Sequence, residues 1–153
     1  MDQEEFKRYL GKMQALCSRG EKCKADIRVK LERTGMPEKD IEEILDKLQE
    51  EGFIDEQRYA GAFVRDKSRL QGWGPVKISN MLKIKKIPNN IISDALQEMG
   101  ESQVQKTLQH CLIKKNNSIK ETDPAKRRAR LTRYALGRGY TYAQIYQVLK
   151  QLQ

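Results

Sequence analysis

The sequence predicts an all-α protein of three tandem three-helix repeats forming an elongated, curved array. Three observations carry that expectation. The chain repeats itself at a period of about fifty residues: Ile27, Leu31, Gly35-Met36-Pro37, Ile41, Ile44-Leu45 and Leu48 return 51 positions later as Ile78, Met81-Leu82, Ile87-Pro88, Ile92, Ala95-Leu96 and Met99. The skeleton returns a third time as Leu131, Ala135, Gly139-Tyr140-Thr141, Ile145, Val148-Leu149 and Leu152. Apolar residues recur at helical spacing, as in Ile41, Ile44, Leu45 and Leu48, and no alternating β-branched run competes with them. Glycine and proline fall where helices stop and restart.

The repeats are read as residues 1–52, 53–100 and 101–153. In the first, a helix from about Gln3 carries Phe6, Leu10, Met13 and Cys17 and stops at Gly20. A second runs over about Lys24–Arg33 and ends at Thr34-Gly35. Pro37 sits in the first turn of the third helix, where its missing N–H has no intrahelical partner, and Gly52 closes the repeat. In the second repeat Asp55 is the N-cap of a helix showing Tyr59, Phe63 and Leu70. Gly72-Trp73-Gly74-Pro75 breaks the chain, Pro75 opens the next helix, and Ile87-Pro88-Asn89 leads to the last, which ends at Gly100. In the third repeat the polar Lys114-Lys115-Asn116-Asn117-Ser118 reads as a turn. Asp123-Pro124 then starts a helix with Leu131 and Ala135 inward, ending at Gly137-Arg138-Gly139, and Thr141 caps the final helix.

The net charge of +9 is unevenly spread. Residues 1–52 hold 11 Lys/Arg against 13 Asp/Glu, net −2; residues 53–100 hold 8 against 5, net +3; residues 101–153 hold 11 against 3, net +8. That gradient gives the array a direction and puts contact with negative charge at its third repeat. Within it, Lys126-Arg127-Arg128-Ala129-Arg130-Leu131-Thr132-Arg133 is the densest run of cations. At about 100° per residue, Lys126, Arg130 and Arg133 share one face and Leu131 and Ala135 the other, so a cation stripe faces a phosphate backbone or an acidic protein groove. Arg127, Arg128 and Arg138 lie on the flanks, with stems over apolar surface, and Arg127 joins Lys126, Arg130, Arg133, Arg65, Arg69 and Trp73 as an expected contact to the negatively charged partner. Arg65, Lys67 and Arg69 add charge to the middle repeat. Trp73, the lone tryptophan, either plugs a junction between repeats or stands out as a binding anchor. Tyr134, Tyr142 and Tyr146 read as half-core residues with wet hydroxyls, and Tyr140 as core.

Chemistry has little to work with. One histidine, His110, rules out a Ser/His/Asp arrangement, and no phosphate-cradling glycine loop is present. Neighbouring acids such as Glu42-Glu43 diverge by about 100° on a helix and share no ligand. Cys17, Cys23 and Cys111 have no ligand spacing and read as buried or half-buried thiols. The expectation is a protein that is not an enzyme and has no catalytic, metal or cofactor site. The acidic start and the absence of a long apolar run suggest a cytoplasmic protein.

The stretch Gly52-Phe53-Ile54-Asp55-Glu56-Gln57-Arg58-Tyr59-Ala60 leading into an apolar helix resembles the signature of the RecX family. Gly72-x-Gly74 followed by Ile78 and Leu82, and Arg138-Gly139-Tyr140 followed by Ile145, resemble its later elements. The resemblance runs from about Lys7 to Leu152, and in the first repeat Cys23-Lys24-Ala25-Asp26-Ile27 stands where the family often has Ser-x-x-Glu-Leu. It implies tandem three-helix repeats, with Gly52, Asp55, Arg58, Tyr59, Ala60, Gly72, Gly74 and Gly139 in mainly structural roles. It also implies a cytoplasmic regulator that binds the RecA filament on single-stranded DNA and mainly inhibits its recombinase, ATPase and co-protease activities in DNA repair and the SOS response. A monomer is expected. The residues themselves leave two other readings open: a direct DNA binder using its helix-turn-helix-like units, or an interaction scaffold with incidental charge.

Overall fold

The structure, a computed structural model, describes residues 1–152. They form nine helices and no strand: α1 (Gln3–Arg19), α2 (Lys24–Glu32), α3 (Glu38–Glu50), α4 (Glu56–Arg69), α5 (Pro75–Ile84), α6 (Asn89–Met99), α7 (Glu101–Ser118), α8 (Pro124–Gly137) and α9 (Tyr142–Leu152). None is long and apolar enough to cross a membrane.

The helices close around three separate cores. Met13, Ile27, Leu31, Ile41, Ile44, Leu45 and Leu48 form the first, with Ile54 reaching back into it. Tyr59, Ala60, Val64, Ile78, Leu82, Ile87 and Ile92 form the second, and Cys23 from the α1–α2 connection is buried among them. Val104, Leu108, Leu112, Leu131, Ala135, Tyr140, Ile145, Val148 and Leu149 form the third. Each fully buried aliphatic side chain contributes on the order of 1.5–3 kcal/mol. Three small cores in a row leave much surface wet. The accessible area is 9669 Å², against about 8000 Å² for a compact protein of this mass, which identifies an extended shape.

Local chemistry explains the helix ends. Asp2, Asp55 and Asp123 each accept the N–H three residues on, at 2.8, 3.0 and 3.0 Å. Thr141 and Gln144 form a reciprocal capping box. At Cys23 the cap is inverted: the Asp26 carboxylate accepts the Cys23 N–H at 3.3 Å.

Three expectations need correction. Residues 114–118 are the last turn of α7, not a turn between helices. The stretch is polar because this turn of the helix is largely solvent-facing, and the Arg127 guanidinium satisfies carbonyls at that helix end (Asn116 O, 2.7 Å; Ile119 O, 3.0 Å). Leu70 is 79% exposed; Ala60, Val64 and Ser68 line the buried face of α4 instead. Pro37 is the N-cap residue of α3, extended at ψ 146°, because the residue carrying the cap lies outside the helical backbone.

The two junctions between cores are built differently. Between the first and second, side chains do the joining. Asp26 Oδ1 pairs with Lys85 Nζ at 2.6 Å, and Glu21 Oε1 with Arg58 Nε at 2.5 Å. Between the second and third, the backbones themselves bond. Gly74 N–H donates to Arg138 O at 2.7 Å and Val76 N–H to Gly139 O at 2.9 Å. The approach is so close that a Cβ on Gly74 would lie 2.4 Å from Gly139 O, and one on Gly139 would lie 2.4 Å from Lys77 Cβ. The Tyr140 hydroxyl donates to Gly72 O at 3.0 Å, and Cys111 Sγ lies 3.8 Å from the same carbonyl. Cys17 and Cys111 are half-buried and Cys23 buried, all three as free thiols. Burial pushes the Cys23 thiol up to about 11, so it is inert at neutral pH.

Candidate functional site

α8 divides its residues as its periodicity requires. Leu131 and Ala135 are 7% and 1% exposed, while Lys126, Arg130 and Arg133 are exposed on the opposite face. No acidic residue lies within the helix to pair with them. Arg127 stands apart from this stripe. Its Nη1 donates to Ile119 O (3.0 Å) and Glu121 O (2.5 Å), and its Nη2 to Asn116 O (2.7 Å) and Asn116 Oδ1 (2.5 Å). The guanidinium therefore ties the α7–α8 connection to the end of α7. Arg128 and Arg138 are half-buried.

That tie shapes a hollow of about 600 Å³ between the end of α7 and α8. Lys115, Lys120, Arg130 and Arg133 line it with Ser118, Ile119 and Tyr134, and no acid does. Lys115 Nζ stands 5.0 Å from the centre of the Tyr134 ring. Four cations line this one concavity with no counter-charge among its walls, a charge arrangement that suits an anion or a run of phosphates. Lys115 and Lys120 escape the sequence reading because nothing in the chain says that α7's last turn lies beside α8. The surplus of basic over acidic residues in the third repeat was the available signal.

The remaining candidates lie elsewhere. Arg65 and Arg69 are exposed on α4 and line a different hollow, beside Glu98 and Gln103. The structure does not bring them to the α8 hollow. Trp73 is half-buried against the second core, edge-on to Phe63 at 6.4 Å, with Lys67 Nζ and Lys77 Nζ 4.9 and 4.4 Å from its ring centre. It packs directly before the Gly74–Arg138 backbone contact. Tyr140 is 2% exposed and Tyr134 half-buried, whereas Tyr142 and Tyr146 are 69% and 58% exposed, one turn apart on α9, rather than half-core.

The Gly52–Ala60 stretch has an architectural geometry. Gly52 takes φ 78°, Asp55 caps α4, and Tyr59 and Ala60 are buried. Arg58 reaches back to Gly52 O at 3.1 Å as well as to Glu21. Burial raises the Glu56 carboxyl, and one of its oxygens, Oε2, is buried without a hydrogen-bond partner.

Comparison with known proteins gives a consistent picture. Residues 55–96 match the family model for the second three-helix domain of RecX, and residues 101–149 the model for the third. The chain is 36% identical over 135 residues to the Regulatory protein RecX of Clostridium acetobutylicum, covering 86% of this chain and 62% of that protein. It is 30% identical over 135 residues to the Regulatory protein RecX of Prosthecochloris aestuarii, covering 86% and 85%. The chain thus spans less than two thirds of the clostridial relative and most of the other. Its fold superposes on the crystal structure of RecX from Lactobacillus salivarius with a TM-score of 0.87, over 97% of both chains at 21% identity.

Proposed function

The chain belongs to the RecX family, and from that premise we propose that it regulates the RecA recombinase by binding its filament on single-stranded DNA. The regulation is mainly inhibitory, acting on recombinase, ATPase and co-protease activities in DNA repair and the SOS response. The protein works in the cytoplasm, as a monomer, with no catalysis of its own. The observation that carries the reading is the acid-free cation surface of the third repeat: the α8 stripe of Lys126, Arg130 and Arg133, continued by the hollow that adds Lys115 and Lys120. An extended body of linked three-helix units suits a long nucleoprotein groove, since several weak contacts on one linked chain gain avidity together.

The test titrates the protein into RecA–single-stranded DNA filaments and follows ATP hydrolysis. The wild type is expected to slow it. The triple variant Lys126→Glu/Arg130→Glu/Arg133→Glu is expected to keep its helical signal and lose at least about tenfold in apparent inhibitory affinity, as six units of charge change where phosphates would sit. No effect of wild type at any ratio would sink the reading. Equal inhibition by the variant would make the stripe an ordinary solvated face. The same one-signed hollow also supports a second reading, direct binding to naked DNA. Its signature is an affinity for DNA without RecA that falls steeply with salt.

A further inference from the structure

We propose that the groove between α2 and the end of α5 docks an acidic segment of a partner protein, anchored by an aliphatic side chain. This surface belongs to the first and second repeats and is independent of the α8 hollow. α2 buries Ile27 and Leu31 completely but leaves Val29 48% exposed. Across the groove, Ile84 at the end of α5 is 69% exposed. The two apolar side chains come from different repeats and line one concavity of about 500 Å³. Lys22, Lys30, Arg33 and Lys85 also line it, with Asp26 as the lone acid. Asp26 is already paired with Lys85 at 2.6 Å. Lys22, Lys30 and Arg33 have no ion-pair partner among the described residues, so the groove has an apolar floor and three uncompensated cations.

The backbone supplies a second observation. Lys86 follows Lys85 with φ 60°, the one non-glycine residue in the left-handed region among the described residues. The repeat places Gly35 (φ 78°) and Gly139 (φ 100°) at the equivalent positions. Glycine takes that conformation without steric cost and lysine does not. A basic side chain held where the other two repeats use glycine, on the exposed edge beside Ile84, is strain retained at a surface. The conformation is that of the α5 C-cap, where the Lys86 N–H donates to Lys83 O at 2.9 Å and the Ile87 N–H to Leu82 O at 3.1 Å.

The chemistry favours a peptide over a nucleic acid. No aromatic residue lines the groove, so bases have nothing to stack on. Phosphates gain nothing from Val29 and Ile84. A segment of aspartates and glutamates with a leucine or similar residue meets both features, its carboxylates on Lys22, Lys30 and Arg33 and its aliphatic group against Val29 and Ile84.

Fluorescence anisotropy with the full chain tests this, using a labelled synthetic peptide of Glu and Asp around a central Leu-Leu pair. The wild type is expected to bind it. Val29→Ser/Ile84→Ser and Lys30→Glu/Arg33→Glu are each expected to weaken binding about tenfold or more at exposed positions that leave the fold intact. The α8 triple variant is expected to bind the peptide normally, which separates this surface from the filament reading. Absence of wild-type binding, unchanged affinity in either groove variant, or displacement of the peptide by oligothymidylate overturns the proposal.

Discussion

The two junctions join similar three-helix units by opposite means. At the second, backbone meets backbone: the Gly74 and Val76 N–H groups bond to the Arg138 and Gly139 carbonyls, and two glycines interlock where no Cβ fits. At the first, charged side chains and the buried Cys23 bridge the gap, and a groove with exposed Val29 and Ile84 stays open beside them. Backbone hydrogen bonds shielded by packed glycines have little freedom to rearrange. Half-exposed ion pairs are weak, salt-sensitive and held by flexible side chains. The second junction is therefore expected to be the stiffer of the two.

The sharpest way to break that contrast is Gly74→Ala. The new methyl would lie 2.4 Å from a backbone oxygen that cannot swing aside. We expect a loss of about 3 kcal/mol by chemical denaturation, with proteolytic sensitivity appearing at the 72–76 and 137–140 segments. Arg127→Ala comes next. It removes the guanidinium that closes the end of α7, and about 1–2 kcal/mol is expected to go with it. Hydrogen exchange should show the last turn of α7 fraying while α8 stays protected, and Lys115 and Lys120 would lose their fixed places in the hollow.

The smallest effect belongs to the first junction. Burial works to raise the Asp26 carboxyl, but the Lys85 ammonium and the Cys23 N–H outweigh it, and the net shift is downward. A carboxyl held low in the folded state adds stability above its unfolded value, near pH 4, and loses it as pH falls through the lower folded value. Asp26→Asn is expected to cost about 1 kcal/mol or less at pH 7, reduced by salt. Thermal melts of the variant and the wild type should converge as the solution is acidified below about pH 4. A difference that persists into acid would show that Asp26 acts through its cap on the Cys23 N–H rather than through its charge.

Much of the architecture was readable because it rests on local rules. Apolar residues at helical spacing placed Ile41, Ile44, Leu45 and Leu48 inward, and Asp55 and Asp123 announced their caps. The two main misreadings share one cause. Residues 114–118 looked like a turn because they are polar, and Leu70 looked like core because it is apolar. Burial depends on what a neighbouring helix covers, which periodicity does not specify. The site was half legible for the same reason. Lys126, Arg130 and Arg133 follow from the helical wheel of α8 alone, whereas Lys115 and Lys120 join them only because α7 folds alongside, and the flanking Arg127 is turned to a structural role only because carbonyls of α7 and the connection lie within its reach.

By itself, the sequence determined the repeated unit, the helix boundaries set by its caps and glycines, the climb in charge from −2 to +8, and the family signature. These are properties of short segments or of composition, and each residue carries them independently of its distant neighbours. Only the tertiary structure decided how successive units are joined, which cations converge on one hollow, and that Lys86 occupies a glycine's conformation. Those depend on the distances between groups far apart in the chain: Gly74 against Gly139, Asp26 against Lys85, Val29 against Ile84. A linear pattern contains no measure of such distances until packing creates them.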